Sequence, residues 1–295
     1  MGAADVVPGV SGGTIALVLG IYQRLIDTVR SGARALGTLA KGDWRGFVER
    51  LRTIDFMFIV PLGVGILLAV ASLASVIEQQ LHDNPENMAG LFFGLVVASV
   101  VIGLGLLTHR DNQTHAMILI SAIVVFGLLG FQSGPVLDPS PLVFFGAGAL
   151  AICAMILPGI SGSFILLMIG MYAAVIGAVD DRAFADLVLV ALGAVVGLAL
   201  FSSLLGWVLD HHFDTVMAVL IGLMLGSLRV LWPWPHGVGV ISEDQSEVIN
   251  GTGLDWPGAS EWLNPSLLAV VGVAVVLGIA RLGDRTAIHQ EDRAS

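Results

Sequence analysis

Two short runs of proline, glycine and hydroxyl residues interrupt a chain that is otherwise strongly apolar. The first reads Pro8-Gly9-Val10-Ser11-Gly12-Gly13-Thr14. The second, 150 positions later, reads Pro158-Gly159-Ile160-Ser161-Gly162-Ser163. Each is followed by a helix-like stretch, ending in Gly20-Ile21-Tyr22 and in Gly170-Met171-Tyr172. Proline and glycine break a helix, so a new helix is expected to start after each run. Its first N–H groups have no intrahelical partner. With Ser11, Thr14, Ser161 and Ser163 beside them, such starts are donor-rich and electropositive, which suits an anion such as phosphate. Gly12, Gly13 and Gly162 let backbone come close to a ligand.

Few other residues offer chemistry. Asp5 is the carboxylate nearest a break, and Met155 stands at its equivalent in the second run. Asp5 is either an intramembrane proton-coupling group or a wet, exposed side chain. Arg229, before Trp232-Pro233-Trp234-Pro235, either pairs with a phosphate or snorkels to an interface beside an aromatic belt. Tyr22 and Tyr172, the two tyrosines, are candidates for a headgroup hydrogen bond or for interfacial anchoring. The seven histidines fall in loops, at span edges or in the tail, without metal-ligand spacing. No phosphate-binding loop for ATP is present, no span carries a carboxylate pair, and Glu243 and Glu247 sit in a polar loop. No metal, cofactor or enzymatic activity is expected, and transport, if any, is secondary or passive.

The elements that hold these runs are set by composition. Of 295 residues, 56% are hydrophobic and 12% charged, about half the charge of an ordinary soluble domain at roughly 25%. The mean hydropathy is +0.91. This excludes a soluble enzyme, and the net charge of -10 excludes nucleic acid as a partner. The class is an all-α polytopic membrane protein. A span needs about 20 apolar residues, and the stretches 56–76, 89–108, 114–134, 187–209, 215–231 and 264–281 are read as six crossings. The uncharged run 142–179 is broken at its centre by the second motif. Its flanks, 142–157 and 164–179, give about 24 Å of helix each, short for a bilayer core of about 30 Å. It is either a re-entrant hairpin or one or two tilted spans.

Charge placement decides. Seven of the thirteen Lys and Arg lie between Arg24 and Arg52, which places that stretch in the cytoplasm. Counting crossings from there puts the Lys- and Arg-free loop 232–264, with five acids, outside. The tail 282–295 is then cytoplasmic. An odd number of crossings by 142–179 would put both on the wrong side, so 142–179 is read as re-entrant. The run Gly94–Ser99 also resembles Gly222–Ser227, so two motifs recur in the same order. The chain therefore divides into two repeats, 1–134 and 135–295. Each is a re-entrant broken hairpin (6–29 and 142–179) followed by three spans, and three crossings invert the second relative to the first. Broken helices in inverted repeats mark the binding site of secondary transporters. Gly63, Gly103, Gly127 and Gly193 are read as helix-packing contacts instead.

The run Ala4 to Thr14 with Gly20-Ile21-Tyr22 resembles the signature of the polyprenyl-phosphate transporter family. Gly222 to Arg229 with Trp232-Pro233-Trp234 looks like a second motif of that family. The resemblance covers nearly the whole chain. It implies a flippase that returns undecaprenyl or dolichyl phosphate across the cytoplasmic membrane for reuse as a glycan carrier in cell-envelope biogenesis. The partners implied are that lipid, the surrounding membrane lipids and a proton or sodium gradient. Seven residues precede Pro8, so either the first hairpin lacks its descending arm or the start lies further upstream. Two other readings stay open. Membrane polyprenyl-diphosphate phosphatases have a similar Pro-Gly-x-Ser-Arg-Ser run, but here Gly12 and Gly162 replace the Arg. A small-anion transporter would use the same breaks.

Overall fold

The computed structural model describes residues 1–5, 7, 10–130, 134–234, 254–258 and 261–294, with backbone alone beyond Arg281. Pro8, Gly9, Glu243 and Glu247 lie outside the described residues. Every element among the described residues is a helix. The first half holds α1 (Gly2–Asp5), α2 (Gly12–Val18), α3 (Tyr22–Ala40), α4 (Trp44–Leu51), α5 (Phe56–Asp83), α6 (Pro85–Leu106) and α7 (Asn112–Leu128). The second holds α8 (Pro141–Ile156), α9 (Gly162–Met168), α10 (Tyr172–Asp180), α11 (Phe184–His211), α12 (Phe213–Ser227) and α13 (Leu263–Ala294). Local chemistry sets the starts. Asp43, Asp55 and Asp111 accept the Gly46, Phe58 and Thr114 N–H groups at the starts of α4, α5 and α7. Pro85 and Pro141 open α6 and α8, where the missing N–H would have no partner anyway.

Four helices are long and apolar enough to cross a bilayer: α5, α6, α11 and the Leu263–Arg281 part of α13. The other two expected crossings are shorter than the sequence suggested. Helix α7 ends at Leu128 with 17 residues and α12 at Ser227 with 15. Each closes in a tightened turn, as Gly130 N–H donates to Gly127 and Val230 N–H to Ser227. The expected tail continues α13 as helix to Ala294. The spans show their apolar side chains outward. Helix α5 buries no residue, and Met57 is 88% exposed. Such a surface suits acyl chains and would be unfavourable in water.

The ascending arm of the second hairpin also departs from expectation. It is not one helix over 164–179 but two, α9 and α10, bent by 112°. Gly170 causes the bend: at φ 72 it is left-handed, its N–H donates to Leu167, and the Met171 N–H reaches back to Leu166. This glycine-closed helix end recurs at Gly20, with φ 67 and bonds from Gly20 to Leu17 and from Ile21 to Ala16.

Packing repeats the same way. Helix α1 lies on α5 as α8 lies on α11, and α6 pairs with α13 as α12 pairs with α7. Helices α6 and α12 meet at the centre, where Val96, Val100, Ala218, Ile221 and Met224 form the core. The matched glycines bring these pairs close. A Cβ on Gly94 would strike the Ala269 carbonyl of α13, and one on Gly222 would lie 2.6 Å from the Ile118 carbonyl of α7. Gly193 meets Phe145 and Gly103 meets Ile221, as expected of packing glycines. Gly63 and Gly127 have nothing within 4 Å and are not packing contacts.

The two ends of the molecule differ. At one end Arg24 pairs with Asp55 at 2.6 Å, Arg30 with Asp210 at 2.7 Å and His109 with Asp214 at 2.8 Å. The first two pairs tie the basic stretch 24–52 to the start of α5 and the end of α11. At the other end Val136 N–H donates to the Gly170 carbonyl at 3.0 Å, and Trp232 stacks edge-on with Phe93, Trp234 and Trp256.

Candidate functional site

The two breaks meet, and hydroxyls of the first bind backbone of the second. The Ser11 hydroxyl donates to the Met155 carbonyl at 2.9 Å, and the Tyr22 hydroxyl to the Ile156 carbonyl at 3.3 Å. These carbonyls end α8 and have no intrahelical donor. Thr14 Oγ1, fully buried, accepts the Gly159 N–H at 2.9 Å. Gly159 has φ +86, and a Cβ there would lie 2.8 Å from Met224 Cα. A Cβ on Gly13 would lie 2.7 Å from the Ile156 carbonyl. Only glycine lets the two breaks and α12 approach this closely.

The matched motifs are not used alike. In the first, Ser11 has extended backbone and its side chain accepts the Gly13 N–H at 3.0 Å, while Asp5 accepts the Gly12 N–H at 2.6 Å. The start of α2 is thus capped by its own carboxylate and hydroxyl. In the second, Ser161 makes no cap. Its hydroxyl lies 2.7 Å from that of Ser163, which is exposed. Met155, the counterpart of Asp5, offers no acceptor and is itself exposed. The start of α9 therefore lacks the side-chain cap that Ser11 gives α2.

Residues 1–249 match the VCA0040-like family, described as undecaprenyl phosphate translocase-like. The chain belongs to this family. It is 37% identical to a protein of Vibrio cholerae serotype O1 named polyprenyl-phosphate transporter, over 97% of this chain and 94% of that one. A Staphylococcus aureus protein of the same name is 32% identical over 79% of this chain and 83% of its own. No solved structure matches the chain.

The matched region of this translocase-like chain includes both breaks and the described remaining candidates. Ser11, Gly12, Gly13, Thr14 and Tyr22 come together with Pro158, Gly159 and the end of α8. Tyr22 is buried against the second break, whereas Tyr172 is half-buried at the first turn of α10. Arg229 stands elsewhere. Its guanidinium lies over the Phe126 ring, 4.7 Å from the centroid, and donates to the Phe126 carbonyl at the end of α7. A cation is favourable at that helix terminus. The sequence alone missed the tie between the breaks, because half of each bond is a backbone carbonyl or N–H. Among the described residues no three His, Cys, Asp or Glu side chains stand together as metal ligands.

Proposed function

We propose that this chain carries polyprenyl phosphate, undecaprenyl or dolichyl, across the cytoplasmic membrane and so returns a glycan carrier lipid for reuse. The names of the relatives support the substrate class. The single observation that carries the mechanism is the contact between two broken helices from inverted halves, Ser11 to Met155 and Thr14 to Gly159. Irregular backbone at membrane depth survives where it lines a cavity or is buried in protein. The halves, 1–134 and 135–295, are taken to exchange access to this point, with the basic stretch 24–52 and the C-terminus in the cytoplasm. The phosphate meets the uncapped start of α9 with the Ser161 and Ser163 hydroxyls, and the prenyl tail stays in lipid. Asp5 holds the start of α2 in this conformation. Its protonation, or a sodium gradient, is the proposed coupling.

A phosphatase reading fits less well. A Cβ on Gly12 would lie 2.6 Å from the Asp5 carboxylate, and one on Gly162 would lie 2.8 Å from the Ala151 carbonyl. Backbone leaves no room for an arginine at 162, and at 12 the Asp5 carboxylate would have to give up its bond to the helix start. Proteoliposomes containing the pure chain separate the readings. Transbilayer movement of polyprenyl monophosphate without inorganic phosphate release from the diphosphate lipid supports the flippase. Phosphate release would establish the enzyme, and exchange of short soluble anions alone would establish an anion transporter.

A further inference from the structure

Helix α4 and the end of α3 form a hairpin that projects from the helical body beside the start of α5. Helix α4 packs mainly on α3 and buries none of its residues. Its apolar side chains, Trp44, Phe47, Val48 and Leu51, follow the i, i+3, i+4, i+7 spacing of one face. Trp44 is 64% exposed and stacks on Phe47 at 5.5 Å. Leu36 and Leu39 on α3 are exposed as well. The opposite face of α4 presents Gly46, Glu49 and Arg50 to an open groove of about 630 Å³, shared with Ser31, Arg34 and Thr38 of α3. Water thus has one face, and on the other this chain leaves Trp44 and Val48 exposed and Phe47 and Leu51 half-buried.

The charges beside that apolar face are basic. At 100° per residue, Arg45 and Arg52 flank it on one side and Arg50 on the other, and all three are exposed. Across 24–52 seven basic residues stand against three acidic ones. Aromatic and aliphatic side chains on one face with arginines along its edges match a bilayer surface: rings enter the headgroup boundary while guanidiniums reach anionic phosphates. We propose that the α3–α4 hairpin docks on the surface of an anionic phospholipid bilayer, with Trp44, Phe47 and Val48 inserted and Arg45 and Arg52 on lipid phosphates. The hairpin leads from the first broken helix to α5, so docking anchors the outgoing arm of that hairpin to the leaflet.

The test places a nitroxide at Val48→Cys in a Cys153→Ser background of the full chain. The chain is reconstituted in phosphatidylcholine and in phosphatidylcholine with phosphatidylglycerol. Relaxation by oxygen reads acyl surroundings, and relaxation by a soluble nickel chelate reads water. A second label at Met57→Cys, on the exposed surface of α5, reads lipid in both bilayers and certifies insertion. With phosphatidylglycerol the Val48 label becomes oxygen-accessible and chelate-shielded. Arg45→Gln with Arg52→Gln then lowers the docked-to-free ratio by roughly fivefold per charge removed. A label equally wet in both bilayers overturns the proposal. So does a label shielded from both relaxants, which would mean that protein, such as a second copy, covers this face.

Discussion

Thr14 holds the two breaks together through one buried bond, so its hydroxyl and its shape separate cleanly. Thr14→Val keeps the volume and leaves the Gly159 N–H buried without an acceptor. An orphaned buried donor costs about 1–3 kcal/mol. Chemical unfolding in detergent should show a loss of that size, and Thr14→Ser should recover most of it. An unchanged midpoint for the valine variant would show that the bond is dispensable. A second residue-scale prediction concerns pH. The Thr114 hydroxyl and then its N–H hold the Asp111 carboxyl below the usual carboxylate range. A depressed folded value contributes stability above the unfolded value and loses it as pH falls through the folded one. Thermal midpoints of wild type and Asp111→Asn should differ most near neutral pH and converge in acid. A gap that stays constant into strong acid would contradict the assigned bonds. The residue types at the breaks were legible in sequence, but their partners were not. Ser11, Thr14 and Tyr22 looked like ligand donors, and they bind backbone more than 130 positions away, which has no residue-type signature.

At the scale of elements, glycines that look alike in sequence divide by what they touch. Gly193 lies against the Phe145 carbonyl where α11 crosses α8, while Gly63 faces open space on α5. Gly193→Ala should destabilise by about 1–3 kcal/mol through overpacking. Gly63→Ala should be neutral or gain up to about 1 kcal/mol from helix propensity. Equal effects in unfolding experiments would remove the distinction. Helix starts were readable from proline and aspartate. The bend at Gly170 was not, because 164–179 is uninterrupted in hydropathy and only the left-handed backbone angle separates one helix from two. The glycine was visible as the match to Gly20, and that match was the available signal. The short ends of α7 and α12 escaped for the same reason: apolar residues continue past Leu128 and Ser227, but the backbone turns.

For the whole molecule, composition and hydropathy made the all-helical, membrane-spanning class legible. The paired segments of Arg24, Asp55, Arg30, Asp210, His109 and Asp214 gather at one end, where the sequence put the positive charge. Orientation is open to a direct check in a Cys153→Ser background. A membrane-impermeant thiol reagent should label Gln113→Cys only from the cytoplasmic side and Asp138→Cys only from outside. Labelling of both from one side would undo the inverted arrangement. The central claim is that the contact between the breaks moves a lipid phosphate. Its most direct measurement is the rate at which polyprenyl phosphate crosses the bilayer of proteoliposomes holding wild type or Ser161→Ala with Ser163→Ala. Wild type should move the lipid well above the protein-free rate, with the double variant slowed about tenfold or more, as expected for losing hydrogen bonds to a charged group worth about 1.5–3 kcal/mol each. A wild-type rate equal to empty liposomes under every pH and sodium gradient, or a double variant as fast as wild type, would contradict it.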